Sequence, residues 1–139
     1  MNSSLFLTSG TRMTAGVLLL TIVAVESGGW LMLRIVRGRR PVTPFQQVFF
    51  RAGHAHAGVL VILALVSQIL VSAEHVGGLL GAFATNGIWA AAILMSAGFF
   101  LSAGGRDVTR PNGFIVVLYL GAASLGIGVV SLGLGLLTA

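Results

Sequence analysis

The chain has 139 residues, of which 56% are hydrophobic, only 8% are charged and none is Cys; a mean hydropathy of +1.01 rules out a protein that disperses freely in water. Without Cys there are no disulfides, thiolate metal sites, iron-sulfur clusters or cysteine nucleophiles. All eight cationic residues are Arg, clustered beside apolar runs, so the net charge of +5 reports membrane orientation and not affinity for nucleic acid, and no nucleic-acid module is visible.

Four apolar segments follow one another, each about the length of the roughly 20 helical residues that a bilayer core requires. They run over about 13–36, 52–72, 76–102 and 114–137. Arg12 ahead of an apolar run, with Ala24-Val25-Glu26-Ser27 after it, gives the first segment the look of a secretory signal, but the expectation is a retained span. Between the segments lie an Arg-rich loop (Arg34, Arg37, Arg39, Arg40, with Pro41 and Pro44), a very short turn at Glu74-His75, and a polar loop from Gly104 to Gly113. Connections this short make successive helices antiparallel neighbours. The expected fold is therefore all-α: a single integral membrane domain over 1–139, a four-transmembrane-helix bundle with antiparallel up-down topology.

The first and third loops share one side and, with Arg51, hold seven of the arginines, against Arg12 alone on the other. The positive-inside rule then puts both termini outside the cytoplasm of a bacterial-type plasma membrane. Arg34, Arg37, Arg39 and Arg40 are suited to anchoring that interface to anionic lipid.

His54 and His56 stand at the mouth of the second apolar stretch, where an imidazole is costly unless it ligates, pairs or relays a proton. His75 lies 19 residues beyond His56, on the order of 28 Å along a helix, so it cannot share a centre with the pair. At positions i and i+2 the two rings diverge by about 200°, unless the first turn of the segment is unwound. A shared metal is thus disfavoured. A single inward imidazole suits the axial position of a haem, where the porphyrin supplies four nitrogens and the protein one; the small residues Gly53, Ala55, Ala57 and Gly58 would let a flat macrocycle approach. Satisfaction of both rings by water and carbonyls is the competing reading of the same spacing.

The run Arg51-Ala52-Gly53-His54-Ala55-His56-Ala57-Gly58 resembles the Arg-Ala-His-Ser-Gly segment of the styrene oxide isomerases, small bacterial membrane proteins with four spanning helices. Gly28-Gly29-Trp30-Leu31-Met32, Gly98-Phe99-Phe100-Leu101 and the Gly/Pro/Asn loop before the last helix resemble further pieces of that family in the same order. The resemblance implies a homotrimer holding haem b between subunits through one axial His, with ferric iron acting as the Lewis acid that converts an aryl epoxide to an aldehyde. It assigns His56 as iron ligand, with His54 as the alternative, and places Gly58 and Arg51 among the cofactor-binding residues. The family's Asn, six residues after the axial His, is replaced here by Ile62 (or by Leu60, counting from His54), and its third-helix Tyr by Phe100. Loss of oriented donors commonly costs orders of magnitude in rate. Haem binding therefore carries over better than isomerase activity, and the alternative is a non-enzymatic haem protein, redox-active or gas-responsive, or a small accessory subunit of a membrane complex.

Candidate catalytic residues are Phe100, Glu26 and Asn86. Glu26 lies midway along the first span, and a carboxyl there is a candidate acid, base or proton relay. The favoured reading is interhelical glue, with Glu26 hydrogen-bonded to Gln68 or Asn86 across helices. In the last span Gly121, Ser124, Gly128, Ser131 and Gly135 form a small-residue stripe that should meet another helix closely; Gly77 and Gly81 offer a second close approach. Whether the stripe packs within the chain or between copies is left open by sequence, although so many small residues suggest a homo-oligomer. No catalytic-triad spacing, nucleotide-binding loop or His-Glu-x-x-His zinc motif is present.

Overall fold

Helices form wherever the chain must satisfy its own backbone in lipid, and here they begin and end on specific caps. The computed structural model describes residues 7–139 and contains α1 (Ser9–Val36), α2 (Pro44–Ala73), α3 (Gly78–Ser102) and α4 (Ile115–Thr138). All four are long and apolar enough to cross a membrane, and no strand occurs among the described residues. The chain is an all-α, four-helix, multi-pass membrane protein.

The expected boundaries hold to within a few residues except at the start of α2, which lies at Pro44 and not near Ala52. Thr43 caps it in a reciprocal box: its side chain accepts from the Gln46 amide, and the Gln46 side chain accepts from the Thr43 amide at 3.1 Å. Pro44 at the first helical position loses no intrahelical bond. Two further turns thus precede Ala52, and His54 and His56 stand about three turns inside an intact helix at 3.6 residues per turn. An unwound first turn beneath them is excluded.

Gln46 is buried and does a second job. Its Nε2 donates to the Ala103 and Gly105 carbonyls, at 2.9 and 3.0 Å, while the Thr43 hydroxyl donates to the Val108 carbonyl. These bonds tie the start of α2 to the α3–α4 loop. At the opposite end the chain reverses between α2 and α3 through His75 (φ 54°) and Gly78 (φ 61°), a left-handed geometry that His tolerates better than most residues.

Between α2 and α3 the polar links run from side chain to backbone: Ser67 Oγ donates to the Ala84 carbonyl and Gln68 Nε2 to the Thr85 carbonyl, at 2.9 and 3.0 Å. The expected Glu26–Gln68 and Glu26–Asn86 bonds do not form. Leu18, Thr21, Val25, Gly28, Met32 and Ile35 make the α2-facing stripe of α1, and Glu26 lies about 100° away from it, exposed.

α3 and α4 pack most closely. A Cβ at Gly98 would stand 2.6 Å from the Leu118 Cα, one at Gly121 2.6 Å from the Met95 amide nitrogen, and one at Gly128 3.0 Å from the Ile88 nitrogen. Ser124 Oγ donates to the Gly87 carbonyl at 2.8 Å. The small-residue stripe of α4 is thus used within the chain and carries no argument for an oligomer. α1 is the outlier: no Cα of it comes within 8 Å of α3 or α4, and it rests on α2 alone, helped by a Thr11–Ser72 hydroxyl pair at 3.0 Å.

These contacts predict opposite outcomes for glycines in the same pair of helices. Gly98→Ala or Gly121→Ala forces backbone apart and should destabilise by about 1–3 kcal/mol. Gly126→Ala, where nothing lies within 4 Å, should stay within about 0.5 kcal/mol of the parent. Thermal unfolding in detergent, followed by circular dichroism, distinguishes them; equal losses at Gly98 and Gly126 would contradict the packing.

Candidate functional site

With α2 intact, residues two apart on it face different neighbours, and the two histidines are separated accordingly. His54 turns toward α1. Its ring lies against bare glycine backbone, such that a Cβ at Gly28 would stand 3.1 Å from Nδ1 and one at Gly29 3.5 Å from Nε2. Gly58, one turn on, is on the same side, its Cβ position 3.9 Å from Val25. His56 turns toward α3 and packs on Phe99, ring centroids 5.0 Å apart.

Of the described histidines, only His56 makes a side-chain hydrogen bond: its Nδ1 lies 2.8 Å from the Ala52 carbonyl. A carbonyl only accepts, so Nδ1 carries a proton, and in the neutral ring Nε2 then keeps its lone pair. An imidazole fixed in this way, one nitrogen donating to a carbonyl and the other bare, is how proteins orient a histidine for a metal. The ring is half-buried, beside the outward stripe of α2 made by Val48, Arg51, Ala55, Val59 and Ile62, all exposed. The donor chemistry at His56 suits an axial haem ligand. A bare ion has no comparable cage, because no three His, Asp or Glu side chains converge among the described residues.

His54 belongs instead to a groove of about 510 Å³ with α2 as its floor and α1 and α3 as its walls. α1 contributes Met13, Val17 and Gly28; α3 contributes Asn86, Trp89, Ser96 and Phe100. Sequence reasoning missed this groove, since it arises only because α1 stands off from α3. Ser96, which no motif singled out, has a buried hydroxyl with no hydrogen-bond partner.

The three candidate catalytic residues do not converge. Glu26 is exposed on the outer side of α1. Asn86 is in the groove but engaged locally, its Nδ2 donating to the Ala82 carbonyl at 2.9 Å and its Oδ1 accepting from Trp89 Nε1 at 3.3 Å. Phe100 stacks on Phe50 with centroids 5.6 Å apart. Leu60 is buried in the core and Ile62 is 61% exposed, so neither position supplies a donor. The Arg34 guanidinium lies over the Trp30 ring, 5.3 Å from its centroid.

Compared with protein families, with characterised proteins and with solved structures, the chain matches none.

The His56 geometry predicts a single tautomer. Nitrogen-15 spectra of histidine-labelled protein near pH 8 should show one imidazole with a protonated Nδ1 and bare Nε2, and that signal should vanish in His56→Ala. A His56 protonated at Nε2 would break the assignment.

Proposed function

We propose that the protein is a membrane haem b protein in which His56 is the axial ligand. The observation that carries this reading is the Ala52-tethered imidazole, half-buried on the side of α2 that meets Phe99, whose Nε2 has no hydrogen-bond partner among the described residues. Ala52 and Ala55 keep that flank low enough for a flat macrocycle, and Arg51 stands on the same exposed stripe to pair with an anionic propionate. His54 is the weaker ligand because its ring is pressed against α1.

The family resemblance adds a trimer with haem shared between copies. Seven arginines at the ends joined by the first and third loops orient those ends to the cytoplasm of a bacterial-type plasma membrane, leaving both termini outside.

Within this reading the leading activity is isomerisation of an aryl epoxide to a carbonyl compound. Bound ferric haem would supply a Lewis acid for the epoxide oxygen. The chain's part is to hold that group through His56 and to keep the surroundings dry with Phe99 and the valines of α2. Ile62 and Phe100 offer no hydrogen bond where the family has Asn and Tyr, and this favours a second reading, a non-enzymatic redox or gas-responsive haem protein or an accessory subunit.

Absorption spectra of detergent-purified protein reconstituted with haemin test the binding. Parent and His54→Ala should show a Soret band, and His56→Ala should lose it; a colourless parent overturns the proposal, and loss in His54→Ala alone moves the ligand. Incubating the ferric protein with an aryl epoxide should then yield aldehyde if the isomerase reading holds, and its absence leaves the carrier reading in place.

A further inference from the structure

At the Arg-rich end of the bundle a second cleft, of about 540 Å³, lies between the first loop, the start of α2 and the third loop. Unlike the groove beside α1, it is lined by charges of both signs. Arg40 enters from the first loop, and Arg106 and Asp107 enter from the third, around a floor that includes Thr43, Gln46 and Phe50.

The floor also holds the walls. Gln46, only 3% exposed, donates to the Gly105 carbonyl, and the Thr43 hydroxyl donates to the Val108 carbonyl, so the third loop is bonded on both sides of Arg106 and Asp107. Across the cleft, Pro41 fixes φ in the residue next to Arg40. Charges carried on backbone held in this way lose less freedom on meeting a ligand than charges on a free loop.

The charges restrict the occupant. A guanidinium is costly in hydrocarbon and stable among headgroups, so a cleft lined by two of them stands in the headgroup layer, where the anion at hand is a lipid phosphate. Guanidinium groups match phosphate oxygens in geometry and charge. A phosphate alone, however, would face the like charge of Asp107. A headgroup that carries a primary ammonium beside its phosphate answers all three side chains: its oxygens accept from Arg40 and Arg106, and its ammonium donates to the Asp107 carboxylate.

The geometry points to a binding site for one zwitterionic lipid headgroup, a phosphodiester joined to a primary ammonium, which bridges the first and third loops. The site is distinct from His56 and does not rest on the haem reading.

The test uses full-length protein in detergent, native mass spectrometry, and two lipids with matched acyl chains, phosphatidylethanolamine and phosphatidylcholine. Both are zwitterionic, so the general field of the arginines acts on them alike, but the quaternary ammonium of phosphatidylcholine has no N–H to donate. Parent and His56→Ala should each retain one phosphatidylethanolamine about three- to fivefold better than phosphatidylcholine, the range of an exposed charge-assisted contact. Asp107→Asn keeps a residue that tolerates the φ of 50° found there; it should erase this preference and leave phosphatidylcholine retention unchanged. Arg40→Gln and Arg106→Gln should weaken both lipids by similar factors. Equal retention of the two lipids by the parent would overturn the inference, as would a preference that survives Asp107→Asn. Displacement of bound phosphatidylethanolamine by millimolar inorganic phosphate would assign the cleft to a free anion and overturn it as well.

Discussion

In a bilayer, apolar surface gains nothing by leaving lipid for protein, so helices associate where backbones can approach and where polar groups find partners. This chain meets that condition at the contact between α3 and α4. Gly98, Gly121 and Gly128 remove the side chains that would hold the helices apart, and Ser124 bonds directly to an α3 carbonyl. α2 joins that pair by a different route, through Ser67 and Gln68 reaching the Ala84 and Thr85 carbonyls and through the Gln46 clasp on the α3–α4 loop. Three helices are thereby fixed to one another by contacts that lipid cannot replace.

α1 has no such contacts with α3. Its buried residues are Leu18 and Ile35, and its close approach to α2 runs through Gly28 and Gly29 beneath the His54 ring. Because α2 occupies its inner side, α1 cannot also reach α3, and the space between them becomes the groove. The cavity thus follows from the distribution of glycine. The α4 stripe is used up on α3, and the pair in α1 is used up on His54, so neither draws α1 against α3.

The number, length and order of the helices were legible in hydropathy alone, because about 20 apolar residues have few alternatives in a bilayer. The start of α2 was not, because hydropathy marks where lipid begins, whereas the helix begins where Thr43 and Gln46 cap it in the polar layer. The α4 stripe was visible as a close-packing face, but its partner was not, since small residues encode proximity without naming a neighbour. Glu26 was misassigned as glue for a related reason. Depth in the span could be read from the sequence, but its angle relative to the α2-facing stripe of α1 depended on which side of α1 met α2. Ser96 carried no signal at all; its significance is that nothing reaches it, which is a property of the packing.

The separation of the two histidines follows from the same geometry. Had α2 begun at Ala52, their rings would have stood in a frayed first turn, free to converge on one ligand. Starting at Pro44 places about three helical turns beneath them and fixes the divergence between positions i and i+2. Each ring then takes on the character of its side. Between helices, His54 meets the glycine backbone of α1 and closes one end of an apolar groove. On the side toward α3, His56 donates a hydrogen bond from Nδ1 to the Ala52 carbonyl, and its Nε2 has no partner among the described residues. A lone pair on that nitrogen, in a half-buried ring backed by an aromatic side chain, is open to a partner from outside the chain.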